Sequence, residues 1–258
     1  MKSASLLSSL LGGLALLAAP AARAEITTSK PLFESRVASA RTASSPGGAT
    51  VLRQEIITAL DAFIVDGWVD AQEASYLSTK VSSPTFLTGL ESAAKKYLFD
   101  FHELNDAQDH EAPLCLDPVP GTPAQVFGAS GPLASSSRLK EGSILEGAGV
   151  ANQVTLTNVY TWVFGSSYDR QTHFEPVNVE ELTARLKART YSGTPSTAEV
   201  NGALAWLARI YNTGNRIYVA DWRSEGRGGP GESAGFVVAV VSADRGFVRM
   251  LEVLTWAE

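Results

Sequence analysis

The sequence predicts an α+β protein: a small N-terminal helical module with an EF-hand-like corner, then an α/β sandwich-like domain with a mostly antiparallel sheet. Two observations carry this. In the first half, apolar residues recur at helical spacing between capping residues. In the last sixty residues one strongly apolar helix is followed by three runs of strand length rich in Val, Ile and aromatic side chains.

The helix of the last segment is defined by Val200, Leu204, Leu207, Ala208 and Tyr211, with Gly214 as the left-handed stop. The strand-like runs are Arg216 to Trp222, Gly235 to Ser242 and Phe247 to Trp256, the last two joined by the tight turn Ala243-Asp244-Arg245-Gly246. Upstream, Val154 to Gly165 reads as a further strand, because Val154, Leu156, Val159, Tyr160, Trp162, Val163 and Phe164 crowd it. Asn178 caps a helix carrying Leu182 and Leu186, with Glu180 and Glu181 in its first turn, and a longer helix enters at Thr194-Pro195. These elements make a domain over residues 151–258.

Residues 1–24 have one early charge, Lys2, an apolar run from Leu6 to Leu17, and Ala22-Arg23-Ala24. This is the pattern of a cleaved secretory signal peptide, so a periplasmic or secreted protein is expected. No later run is long and apolar enough to predict a membrane span. Residues 25–48, rich in Ser, Ala and Thr and ending in Ser44-Ser45-Pro46-Gly47-Gly48, read as a flexible tether. Cys115 is the single cysteine, so no intramolecular disulfide can form and the fold must rest on its apolar core. A formal net charge of −6 argues against direct nucleic-acid binding, which needs a basic footprint.

Residues 49–111 read as the helical module. Leu52, Ile56, Leu60, Phe63 and Ile64 share one helical face, Asp70 with Glu73 forms a capping box for a second helix, and Ser83-Pro84 opens a third that runs to Phe101. Residues 112–150 hold most of the Pro, Gly and Ser punctuation and read as a connector with at most one short strand.

Four motifs bear on chemistry. Asp66-Gly67-Trp68-Val69-Asp70-Ala71-Gln72-Glu73 matches the second half of an EF-hand loop, making Asp66, Asp70 and Glu73 candidate ligands for weak calcium binding. The first two ligand positions are Ala62 and Ile64, which carry no oxygen. His102-Glu103 with Asp106 follows the H-E-x-x-H spacing except for the aspartate, with His110 and Cys115 nearby, which would suit a metal-dependent hydrolase. Gly231-Glu232-Ser233-Ala234-Gly235 spells a nucleophile elbow, but a β-branched run follows it and no histidine occurs after His173, so it reads as a loop entering a strand. The glycines of Arg223 to Gly231 lack the Gly-Lys-Ser/Thr ending of a phosphate-binding loop.

In order along the second domain come Trp162-Val163-Phe164 with Ser166-Ser167-Tyr168, then Phe174-Glu175-Pro176-Val177, Ile217-Tyr218-Val219, and Gly231 to Gly235 before the last strand. On these residues the domain resembles the nuclease A inhibitor-like proteins, small α/β sandwich proteins that block a sugar-non-specific endonuclease. The resemblance implies a protein partner, a nuclease, and no cofactor. In that family an acid in the serine-rich segment and the final carboxylate approach the nuclease metal site. It therefore implies partner-binding roles for Ser166, Ser167, Tyr168, Trp256 and Glu258, although the segment Gly165-Ser166-Ser167-Tyr168 lacks the acid. Three functions follow as expectations: a non-catalytic protein-binding module, a hydrolase built on His102, Glu103 and Asp106, and a calcium-binding envelope protein.

Overall fold

The computed structural model describes residues 26–106, 114–144, 149–164, 170–209, 216–225 and 231–258. Its N-terminal part is a bundle of α1 (Ile26–Ala40), α2 (Arg53–Leu60), α3 (Ala71–Val81), α4 (Pro84–Thr88) and α5 (Ser92–Leu104), with a 3-10 turn at Asp61–Phe63. Each start has a local cause. Asp70 Oδ1 accepts the amides of Gln72 and Glu73 at 2.7 and 2.8 Å, and Glu73 Oε2 accepts the Asp70 amide at 3.0 Å, satisfying donors at the free end of α3. Glu55 reaches back to the Leu52 amide at 2.8 Å to do the same for α2. Phe33, Ile56, Leu60, Phe63, Leu77 and Leu98 are fully buried in one core, each contributing about 1.5–3 kcal/mol by leaving water.

Two expectations fail here. Residues 26–40 are a helix rather than a tether, because Phe33, Val37 and Ala40 share one face and bury it against the bundle. The helix expected from Pro84 to Phe101 is two helices. Val51 donates to the Gly89 carbonyl at 2.9 Å and accepts the Glu91 amide at 3.1 Å, and this short parallel pairing at Leu90 interrupts the helical ladder.

The second part is an antiparallel sheet of β1 (Leu114–Asp117), β2 (Ser137–Ile144), β3 (Arg170–Gln171), β4 (Glu175–Pro176), β5 (Arg216–Ser224), β6 (Ser233–Val241) and β7 (Phe247–Ala257). Its order is β1-β2-β7-β6-β5-β3, with β4 also paired to β5. The helices α6 (Pro123–Phe127), α7 (Pro132–Ser135), α8 (Gln153–Phe164), α9 (Val179–Lys187) and α10 (Thr197–Ala208) cover both faces. Alternation along the strands sorts the core. Tyr218, Ala220, Val237, Ala239, Val248 and Met250 pack under Leu156, Val159 and Tyr160 of α8. Ile217, Val219, Val238, Val240, Leu251 and Val253 pack under Leu182, Leu186, Val200 and Trp206 of α9 and α10. The result is a three-layer α/β/α sandwich with the sheet in the middle, preceded by the helical module. No helix among the described residues is long and apolar enough to cross a membrane.

Two further expectations are corrected. Residues 112–150 are no connector, since β1, α6, α7 and β2 lie within them and β2 pairs with β7 from Ser137↔Val253 to Ser143↔Phe247. Gly142 belongs to this ladder rather than to a loop; a Cβ there would stand 2.2 Å from the Cys115 carbonyl, so only glycine lets β1 come this close. The stretch Val154 to Phe164 is a helix, not a strand. Asn152 Oδ1 accepts the Thr155 amide at 3.0 Å, and Leu156, Val159, Tyr160 and Phe164 then fall at helical spacing on the sheet.

Candidate functional site

Three places carry the residues singled out in the sequence: the EF-hand-like corner, the end of α5, and one end of the sheet. At the EF-hand-like corner, Asp70 and Glu73 are committed to capping α3. Glu73 is fully buried, and that burial pushes its carboxyl above the usual range. Asp66 Oδ1 accepts the Trp68 amide at 3.3 Å and shapes the bend. The Trp68 ring meets His173 edge-on, with centroids 5.9 Å apart, and His173 Nδ1 lies 2.7 Å from Gln153 Nε2 at the start of α8. The corner therefore works as a hinge cap that touches the sheet domain. No group of three or more His, Cys, Asp or Glu side chains among the described residues is arranged to hold a metal ion. Asp70→Ala is expected to cost about 1 kcal/mol, measured by urea unfolding at pH 7, and the same cost is expected with calcium added.

Of the H-E-x-x-D residues, His102 and Glu103 sit on the last turn of α5 and Asp106 lies just past its C-cap Asn105, and each has a different partner. The Ser78 hydroxyl lies 2.9 Å from the Ala74 carbonyl and 2.8 Å from His102 Nε2, so the imidazole is engaged inside the helical module. Burial holds this imidazole below its ordinary pKa. Glu103 is gripped by Arg216 of β5 through two bonds of 2.5 and 2.8 Å. Burial alone would raise its carboxyl, but the hydrogen bond and charge of Arg216 outweigh it and hold the group low. Asp106 receives two bonds from Arg245 of the β6–β7 turn, at 2.6 and 3.0 Å. These acids are the helical module's half of a clasp to the sheet. Arg53 of α2 adds a third forked contact, to Glu181 of α9, with Nη2 2.7 Å from Oε2. His110 and Glu111 lie outside the described residues, and Cys115 is exposed on β1.

The remaining place is one end of the sheet. The ladders align Arg170↔Arg223, Arg223↔Ala234 and Ala234↔Trp256, so β3, β5, β6 and β7 present one row. Three inter-strand gaps of about 4.8 Å put Arg170 and Trp256 about 14 Å apart. Arg170 comes two positions after Tyr168 in the sequence; Ser166, Ser167 and Tyr168 lie outside the described residues. Trp256 is 42 % exposed, and Tyr191, whose amide donates to the Leu254 carbonyl at 3.0 Å, is 56 % exposed beside the same strand. Arg223 and Glu232 pair across the row, and Glu258 is exposed with its amide on the Glu232 carbonyl at 2.9 Å. A register shift between Ala234 and Gly235 leaves Thr255 as an extra residue of β7, and the pairing resumes at Trp256. Ser233 opens β6 opposite Ser224 and Ala257, and both described histidines are engaged elsewhere, so the elbow-like motif is a strand entry.

Sequence reasoning missed Arg216, Arg245 and Gly231. The first two could be found only by knowing that β5 and the β6–β7 turn pass beside α5; the last looks like any loop glycine until its φ of 99° is seen. Fold and surface together define a class: a three-layer sandwich clasped to a helical bundle, with an aromatic and charged sheet end. Neither a protein-family model, nor a curated protein, nor a solved structure matches the chain.

Proposed function

We propose that this is an exported, non-catalytic protein-binding module that uses the sheet end around Trp256 to engage a nuclease, in the manner of the inhibitor family it resembles. The observation supporting this reading is the shared row. Arg170, next but one to Tyr168 in sequence, and Trp256, next but one to Glu258, come to the same end of the sheet although they are far apart in sequence. An exposed Trp beside an exposed Tyr supplies the aromatic anchors that interfaces favour, and Glu232 and Glu258 add acid that suits a basic or metal-bearing cleft. The clasped H-E-x-x-D residues and the capped corner leave this surface as the one assembled from several segments of the chain.

Mixing the purified protein with a sugar-non-specific, metal-dependent endonuclease should give a stoichiometric complex by light scattering and loss of DNA cleavage. Trp256→Ala is expected to weaken binding by about 2 kcal/mol, some thirtyfold, with an unchanged melting temperature. Absence of any complex with the wild-type protein would reject the nuclease reading.

A further inference from the structure

The sheet end is held in place by a small device in the loop that enters β6. Gly231 has φ of 99°, and a Cβ built on it would lie 2.5 Å from the Glu258 carbonyl oxygen and 3.3 Å from the Glu258 carbonyl carbon. At that separation something must move, and the obstacle is the main chain of residue 258 rather than the far end of a flexible side chain. The next residue completes the grip: the Glu258 amide donates to the Glu232 carbonyl at 2.9 Å, while the Glu232 carboxylate is tied to Arg223 of β5. Thr255 Oγ1 donates to the Ala234 carbonyl at 3.1 Å, pinning the bulged stretch between Leu254 and Trp256. Residues 255–258 are thus held by two hydrogen bonds to residues 232 and 234 and by the pairings Ser233↔Ala257 and Ala234↔Trp256.

We infer that Gly231 is a positioning residue for the proposed interface: its missing side chain lets the 231–232 loop seat residue 258, which fixes Trp256 and Glu258 before a partner arrives. The inference rests on the binding role proposed above. Its physical content is preorganisation. A strand end that is already ordered loses less freedom on binding than a frayed one, so the same contacts yield tighter association. Substitution at Gly231 removes no group from the exposed face; it strains the 231–232 loop at its φ of 99° and displaces residue 258, and it reaches the exposed side chains through that displacement.

The test is a cycle of four proteins: wild type, Gly231→Ala, a chain ending at Ala257, and the combination. Amide hydrogen exchange at Glu258 and Ala257 should show protection in the wild type that Gly231→Ala removes. Calorimetric binding to a sugar-non-specific, metal-dependent endonuclease should weaken at least tenfold for Gly231→Ala in the full chain. In the chain ending at Ala257 the same substitution should change affinity less than twofold, because the clash partner is gone. Equal exchange protection with and without the Gly231 change would overturn the inference. So would equal weakening in both backgrounds, which would mark a general loop effect. If the wild type does not bind the nuclease, the proposed function fails while the exchange arm still decides whether Gly231 seats residue 258.

Discussion

Arg245→Ala is expected to destabilise the protein by about 2–3 kcal/mol, between the values for an exposed pair and for breaking a fully buried one, because the forked pair with Asp106 is half-buried. The guanidinium is only 14 % exposed and makes more than the Asp106 pair. It donates to the Glu103 carbonyl at 2.6 Å and to the Ala151 carbonyl at 2.7 Å, and the Ala151 amide returns a bond to the Arg245 carbonyl at 2.9 Å. One side chain thereby joins the end of α5, the approach to α8 and the β6–β7 turn. Its loss leaves a carboxylate and two carbonyls short of partners at once. Amide exchange should show the last turn of α5 opening before the sheet, and urea unfolding should broaden as the two parts separate. Arg245→Lys should recover less than half the loss, because an ammonium cannot span three acceptors in one plane. Retention of full stability by the alanine variant would show that the helical module is held by apolar contact alone.

Asp100→Asn is expected to stabilise the protein at pH 8 by about 1–2 kcal/mol and to flatten its stability between pH 4 and 6. Asp100 is buried on α5 beside Lys96, with Glu103 on its own helix and Arg216 and Tyr218 on β5 facing it. Burial raises its carboxyl to about 6, against an opposing pull from Lys96. The folded state therefore holds the proton more tightly than the unfolded chain, whose value is 3.8. Stability from this group is fully present below about pH 4 and is lost as pH rises through about 6. The full shift corresponds to on the order of 3 kcal/mol, of which the asparagine recovers part because it forfeits the Lys96 pair. Asp61 and Glu73 are also raised by burial, so some slope should remain. Glu103, held low by Arg216, works the other way and is lost only in stronger acid. Urea unfolding at pH 4.5, 6 and 8 measures the difference; parallel wild-type and variant curves would contradict it.

The C-terminal helix and the three long strands could be read from the chain because their side chains obey a single period. Val237 to Val241 is β-branched or small throughout and sits in the middle of the sheet, covered on both faces. The caps at Asp70 and Asn178 were equally plain, since a capping residue acts within three positions of itself, whereas α10 was expected to enter at Thr194-Pro195 and is capped by Ser196. The misread segments lacked such local logic. Helix α8 is apolar around most of its circumference and rich in Val, Thr and aromatics, so its period is masked and Asn152 is the only start signal. Helix α1 hides a three-residue apolar face among Ser, Ala and Thr. Of the candidate site, Trp256 and Glu258 could be named from the sequence. That Trp256 stands in one row with Arg170 could not, because it depends on the sheet order.

That order has a kinetic consequence. The strand completed last, β7, lies between β6 and β2, and it joins residues as distant as Glu141 and Arg249, 108 positions apart. Until it is inserted, the β1–β2 ribbon has no bonded neighbour and the β5–β6 hairpin keeps an open, strongly apolar flank. Assembly must therefore wait for nearly the whole polypeptide, as pairings so distant in sequence make for slow closure. A ribosome-bound or truncated chain stopping before residue 247 should remain sticky and protease-sensitive, and would need a holding chaperone where the full-length chain does not.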